Sequence, residues 1–327
     1  MRRILLTGIG GDVSCAIARS LFEAFPEDEI YGIDIREYTP YMERFTKTFT
    51  APRYTEDTYL SYLKELLRRC VITHFLPTTE PEILIADRNR DYFEKEEIRL
   101  LINSSEILGI CTSKYETAAF LRKHGIGAPM TGRAEEVKTE EKALRLKEGS
   151  VLSYPVILKE DYGRGGHGLL LIKNETEWNA APKKGYVCQE YIEGPEYTIG
   201  VFSDGEIVRS IIFRRELGLG GMSVSVECVS VPAITQLAKQ TARALRLCGS
   251  FNIQLREKNG NYFVFEINPR LSSTTGFRHK MGFKDAVWWV ELSEGKLLSG
   301  AYEPPVGMRG VKVTDDMVFS VAGDSEI

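Results

Sequence analysis

The stretch Phe251–Arg270, FNIQLREKNGNYFVFEINPR, limits the possible folds more than any other part of the chain. Two runs rich in aromatic and β-branched residues flank Asn259-Gly260, the dipeptide that most strongly selects a tight hairpin. One run carries Gln254, and the other ends in Glu266-Ile267-Asn268-Pro269-Arg270. An amide, a carboxylate, a second amide and a guanidinium therefore gather at one end of a sheet. Oxygen donors of this kind suit Mg²⁺, and an arginine beside them suits phosphate. Side chains alternate along a strand, so Gln254 and Glu266 share a face only if opposed positions sum to an even number. A three-residue loop, Lys258-Asn259-Gly260, with glycine in the left-handed position, gives that register. A two-residue turn without a bulge would put the two side chains on opposite faces.

The remaining 300-odd residues are long enough for two or three domains (327 in all), each with its own core. The composition, 43% hydrophobic and 27% charged, is ordinary for a globular protein, and the formal net charge of -4 gives no pull toward nucleic acid. No apolar run reaches membrane-spanning length, so no membrane partner is expected and the reading is cytoplasmic. Six cysteines stand singly, without metal-ligand or redox spacing, and read as reduced thiols.

The N-terminal third alternates between strand and helix. Ile4–Thr7 leads into Gly8-Ile9-Gly10-Gly11-Asp12 and a helical stripe of Ile17, Leu21 and Phe25. Ile30–Ile35 and His74–Leu76 are further strands, with Leu100–Ile102 after another helix. This pattern means a parallel sheet with helices on both faces. Val13 stands where a dinucleotide fingerprint needs a third small residue, so the glycine turn reads as a packing turn. Glu80 and Glu82 lie just past a strand end, where parallel sheets place ligands, and are candidate substrate contacts. A nicotinamide-dependent oxidoreductase built on Gly8–Val13 and Asp34 is the competing reading.

In the middle, Ser113-Lys114-Tyr115-Glu116 has the form of a capping box. Lys114 then sits in the first helical turn, against the dipole, which suits a ligand role. Pro155–Lys159 is a strand ending in lysine. Gly163-Arg164-Gly165-Gly166-His167-Gly168 follows, with more glycine than a hairpin tip requires, and its backbone N–H groups suit an anion. Gln189-Glu190-Tyr191-Ile192-Glu193-Gly194-Pro195-Glu196 reads as a strand, a bend and a new strand. Arg214-Arg215 reads as a solvated strand end, with reach to substrate or phosphate as the alternative.

Taken in order, Lys114, Lys159 with its glycine loop, Gln189–Ile192 with Glu196, Gln254, and Glu266-x-Asn268-Pro269-Arg270 resemble the ATP-grasp superfamily of carboxylate–amine ligases. The chain is most similar to a single synthetase unit of the carbamoyl-phosphate-synthetase large subunit, and its bend is similar to that of D-alanine–D-alanine ligase. The resemblance implies a Rossmann-like pre-ATP-grasp α/β domain over residues 1–110, a lid subdomain over 111–192 and a C-terminal subdomain over 193–327, the last two of α+β type. It implies ATP and Mg²⁺ as cofactors, with Mn²⁺ as an alternative ion. Lys114, Lys159, Gly163, Gly165, Gly166 and Gly168 would hold phosphates. Gln189, Glu190 and Ile192 would meet adenine, and Glu196 the ribose. Gln254, Glu266 and Asn268 would bind the metal. Arg270 and Lys159 would be catalytic. Arg278, after Ser272–Gly276, would meet a substrate carboxylate. Serine at 273 departs from the arginine of synthetase units, which speaks against carbamoyl-phosphate synthesis itself. The expected partners are a small-molecule carboxylate and an amine, with a homodimer left open. A non-catalytic nucleotide sensor on the same fold is a further alternative.

Overall fold

The computed structural model describes residues 1–163, 168–218, 223–313 and 318. The chain divides into two compact units, Met1–Ile102 with Lys312–Ile327, and Asn103–Val311.

The first unit holds a five-stranded sheet in which Lys47–Thr50, Glu29–Asp34, Arg3–Thr7, His74–Leu76 and Arg99–Leu100 lie side by side, all parallel. Arg3–Thr7 is central and fully apolar at Ile4, Leu5 and Leu6, as a strand buried on both faces must be. Helices Asp12–Ala24 and Tyr59–Arg69 bury Ile17 and Leu21, and Leu63, Leu66 and Leu67. This is the parallel α/β unit expected from alternation. The strand Lys47–Thr50 is an addition; its sequence, KTFT, carries no buried residue to mark it. Among the described residues no helix is long and apolar enough to cross a membrane.

The second unit is built on antiparallel sheets. The four-stranded sheet runs Leu170–Ile172, Val156–Glu160, Tyr186–Glu190, Thr131–Arg133. The six-stranded sheet runs Asn261–Asn268, Cys248–Lys258, Glu196–Asp204, Val208–Leu217, Ser223–Cys228, Arg309–Val311. A three-stranded sheet, Lys138–Glu140, Ala143–Arg145 and Val151–Ser153, completes the unit.

Period-two alternation gives the six-stranded sheet two unlike faces. On one, Tyr197, Ile199, Val201, Ile212, Phe251, Ile253, Leu255 and Ile267 pack in one core with Ile234, Ala238 and Ala242 of helix Pro232–Ala244 and Leu121 of helix Lys114–Lys123. The other carries the polar partners in between: Glu196, Thr198, Asn252, Gln254, Arg256, Glu266 and Asn268. The four-stranded sheet does the same on a smaller scale. Val156, Leu158, Cys188 and Ile172 join Trp178 and Leu144 in a separate core, which leaves Lys159 and Gln189 on the opposite side.

Candidate functional site

The hairpin sets the register. Asn259 and Gly260, with φ of +53° and +75°, form the turn by themselves, and Lys258 pairs with Asn261. Positive φ at both positions is the two-residue geometry that Asn-Gly favours, so the three-residue loop expected from the sequence does not form. The even register is reached another way. Leu255 pairs with Val264, then Phe265 is skipped as a bulge, and Gln254 pairs with Glu266 and Asn252 with Asn268. The extra residue keeps Val264 and Ile267 on the core side and puts Gln254 and Glu266 directly opposite each other. A bulge re-aims the groups beside it. Here the Phe265 carbonyl accepts a hydrogen bond from Lys159 Nζ at 3.1 Å, and the ring centre lies 5.7 Å from the same ammonium.

Lys159 therefore ties the smaller sheet to the Glu266 strand. It is buried, and burial pulls its ammonium down to about 8, opposed by the Glu266 carboxylate and assisted by nearby Lys114. Lys114 Nζ donates to the Gly163 carbonyl at 2.7 Å and the Asp161 carbonyl at 3.3 Å. The helix Lys114–Lys123 is capped by Ser113 Oγ, which accepts from the Glu116 N–H at 3.1 Å. Asp161 reinforces this cap from outside the helix. Its Oδ1 accepts from Ser113 Oγ at 2.8 Å and from the Tyr115 N–H at 2.9 Å. Asp161 is thus the fastening point between the two lysines and the start of the glycine loop, and nothing local in the sequence marks it. Gly168 has a φ of +71°, and Gly163 leaves no room for a side chain against Glu160. Gly165 and Gly166, with Arg164 and His167, lie outside the described residues.

The bend between the sheets is held closely. Gly194, at a φ of +148°, passes so near Glu257 that a Cβ would stand 1.9 Å from its carbonyl oxygen. Gln189 is buried and donates to Thr131 Oγ1 at 2.9 Å. The Glu190 N–H bonds the Met130 carbonyl at 2.8 Å. The Ile192 carbonyl accepts from Arg256 Nη1 at 3.4 Å.

Glu196 is the most heavily engaged carboxylate on the polar face. Its Oε1 accepts from Arg215 Nε at 3.0 Å and from Arg215 Nη2, and its Oε2 from Arg256 Nη2 at 2.9 Å and Nε at 3.2 Å. Arg214 and Arg215 separate in consequence. Arg214 is exposed and pairs with Glu227, whereas the Arg215 side chain is only 5% exposed. The reading of both as a solvated strand end fails for Arg215, because its partners lie on neighbouring strands.

Past the hairpin, half-buried Arg270 donates from Nη1 to the Leu271 carbonyl at 2.9 Å. Arg278 is fully buried. It pairs with Asp285 at 2.5 Å and donates to Thr274 Oγ1 at 3.2 Å, Asn252 Oδ1 at 3.3 Å and Ser272 Oγ. Gly200 lies beneath it; a Cβ there would come 2.5 Å from Arg278 Cδ. Enclosed in this way, Arg278 does not meet the expectation of an open carboxylate site. It anchors the loop after Arg270 to the sheet.

In the N-terminal unit the acids past the third strand of the alternation are also spoken for. Glu82 is buried and accepts from Thr7 Oγ1 at 2.7 Å, Tyr59 Oη at 2.8 Å and Thr79 Oγ1 at 2.5 Å, so it holds strand ends together and is not open to substrate. Burial and this carboxylate push the Tyr59 hydroxyl far up. Glu80 is half-buried at the first residue of helix Glu80–Asp87. Asp34 accepts from the Gly10 N–H at 2.8 Å and from Arg36. The Arg36 guanidinium lies over Gly10, where even a Cβ would approach it to 1.8 Å. The side chain that a dinucleotide ribose would need is thus occupied by the chain itself.

Burial pushes the Cys111, Cys188 and Cys228 thiols up, Cys188 to about 12 and Cys228 to about 11, which leaves them protonated at neutral pH. Among the described residues no three His, Cys, Asp or Glu side chains gather as a metal cluster. A metal at the hairpin would rest on one carboxylate and two amide oxygens. These are hard donors on one sheet face, and they fit Mg²⁺ or Mn²⁺.

The sequence model of the ATP-grasp domain matches residues 111–274. The carbamoyl phosphate synthase large chain of Thermotoga petrophila is 27% identical over an alignment of 245 residues that covers 68% of this chain and 22% of that protein. This chain accordingly spans under a quarter of such relatives. Among solved structures, the L-amino acid ligase of Bacillus licheniformis aligns over 89% of this chain and 74% of its own, with a TM-score of 0.70 and 16% identity. The N5-carboxyaminoimidazole ribonucleotide synthetase of Thermotoga maritima aligns over 93% and 78%, with a TM-score of 0.70 and 18% identity. At these identities the structural likeness speaks for the fold.

Proposed function

The chain belongs to the ATP-grasp family, whose members use ATP with Mg²⁺ or Mn²⁺, and from that premise we propose that it is a ligase that activates a carboxylate as an acyl phosphate and joins it to an amine, releasing ADP and phosphate. The observation that supports this most is the bulged register, which puts Gln254 opposite Glu266 while Lys159 reaches the intervening Phe265 carbonyl.

On this reading residues 111–192 form the lid and the chain from 193 carries the nucleotide corner. Lys114, Lys159 and the loop from Gly163 to Gly168 bind the phosphates. The backbone of Glu190 and Ile192, beside Gln189, borders the adenine; Glu196, expected at the ribose, has both oxygens taken by Arg215 and Arg256 and serves the sheet instead. Gln254, Glu266 and Asn268 hold Mg²⁺, which when bound offsets the negative charge of the terminal phosphates. A carboxylate oxygen of the substrate forms a bond to the γ-phosphorus as the bond to ADP breaks. Lys159 and Arg270 stabilise the charge on the phosphoryl oxygens during that transfer. The amine nitrogen then forms a bond to the acyl carbon, phosphate leaves, and the amine gives up a proton. No side-chain nucleophile is required, which agrees with thiols held protonated.

ADP release in the presence of pooled small carboxylates and amines tests the proposal. A pool-dependent signal is expected from the unaltered chain, and Glu266→Gln and Arg270→Ala should each lower it by at least about a hundredfold. A signal untouched by both substitutions would remove these residues from the chemistry.

A further inference from the structure

A glutamine used as a metal ligand carries an ambiguity that a carboxylate does not. Its oxygen and its NH₂ have nearly the same shape, and only the oxygen binds a cation. Something must decide which one faces the metal. Arg215 stands where that decision is made. Its Nη2 lies 3.0 Å from Gln254 Oε1. A guanidinium donates and never accepts, so the atom facing it is the amide oxygen, and a carbonyl oxygen keeps a second lone pair for another partner.

Arg215 is itself held firmly. Glu196 Oε1 accepts from both its Nε and its Nη2, and Ser223 Oγ lies 3.3 Å from its Nη1. Arg256 engages the other oxygen of Glu196. A lattice of three charges therefore crosses three adjacent strands, Val208–Leu217, Glu196–Asp204 and Cys248–Lys258, and ends on Gln254.

We propose that Arg215 is a positioning residue for the divalent cation: it fixes the Gln254 amide with its oxygen presented on the face that carries Glu266 and Asn268. The proposal rests on the reading of Gln254 as a metal ligand.

The test is direct binding of Mn²⁺ to the full chain in the presence of ADP, followed by the electron paramagnetic resonance of free Mn²⁺. Arg215→Met should weaken Mn²⁺ binding on the order of tenfold, the worth of one hydrogen bond to a charged group. Arg215→Lys, which restores one donor, should recover part of the loss. In a Gln254→Met background Arg215→Met should add nothing, since the residue acts through that amide. An unchanged Mn²⁺ constant in Arg215→Met overturns the proposal. So does a loss that is equally large with and without Gln254, which would make Arg215 a support of the fold alone. Absence of Mn²⁺ binding by the unaltered chain with ADP would overturn the metal-site reading beneath it as well.

Discussion

Breaking the Arg278–Asp285 pair from one side should cost far more than replacing it from both. The two side chains are 0% and 1% exposed and 2.5 Å apart. Burial pushes the Asp285 carboxyl up, and the Arg278 cation opposes that shift. Removing the cation in Arg278→Met leaves a buried, uncompensated carboxylate and strips donors from Ser272, Thr274 and Asn252. Such one-sided breaks cost about 3–5 kcal/mol. Asp285→Leu leaves a buried guanidinium, which cannot shed its charge, and it should cost at least as much as the arginine variant. The double variant Arg278→Met/Asp285→Leu buries no charge and should cost less than the sum of the singles by at least ~2 kcal/mol. Urea unfolding followed by tryptophan fluorescence measures this cleanly. All three tryptophans, Trp178, Trp288 and Trp289, lie in the second unit, and two of them sit in the helix Asp285–Ser293 that carries Asp285. The pH dependence has a definite sign. In Arg278→Met the folded-state carboxyl titrates above the unfolded one, so stability is fullest below the unfolded value and falls as pH rises through the raised one. The variant should therefore recover stability as pH falls from neutral toward the ordinary carboxylate range. Additive single costs, or a deficit independent of pH, would refute the idea that this cluster is held by charge pairing.

Lys159, brought down to about 8 by burial, should take up a proton when a polyphosphate binds above that pH, visible as buffer-dependent heats in calorimetry and absent in Lys159→Met. Its depressed value also means that the unfolded chain binds the extra proton between about 8 and 10.5, so this lysine's cost to stability is relieved as pH rises across that window. Asp161→Ala should weaken ADP binding by about tenfold and lower stability by about 1–3 kcal/mol, because the Ser113 hydroxyl and Tyr115 N–H lose their buried acceptor; unchanged nucleotide affinity by fluorescence titration would separate Asp161 from the lysines. Deleting Phe265 removes the carbonyl that Lys159 uses while leaving Gln254 opposite Glu266, whereas Phe265→Ala keeps the carbonyl. The deletion should raise the ADP dissociation constant several-fold more than the alanine variant, and equal effects would deny the bulge its part.

What the sequence made legible followed from periodicity. Strand and helix alternation led to the parallel unit, and alternation alone puts Glu266 and Asn268 on one face, which Gln254 joins only through the bulge at Phe265. The turn shows the limit of that reasoning. Asn-Gly pointed to a two-residue turn and the shared face pointed to an odd loop, and the conflict is resolved by Phe265, whose place in Tyr-Phe-Val-Phe-Glu reads as regular strand with or without a bulge. Asp161, Arg215, Glu82 and Arg278 escaped for another reason. Their partners are remote in sequence: Ser113 lies 48 residues from Asp161, Gln254 39 from Arg215, and Thr7 75 from Glu82. A charged side chain with no local partner reads as solvated until the fold supplies a distant one. Arg278 was marked by its charge as a ligand for substrate, and only the glycine at 200 and the acid at 285 reveal that it is enclosed.

The central claim is that Gln254, Glu266 and Asn268 form the cation side of a nucleotide site. Calorimetric titration of ADP with and without Mg²⁺, into the unaltered chain and into Glu266→Gln, tests it most directly. Mg²⁺ should strengthen ADP binding to the unaltered chain, and Glu266→Gln should remove this gain while metal-free binding stays within about twofold. Mg²⁺ strengthening ADP binding equally in both would contradict it.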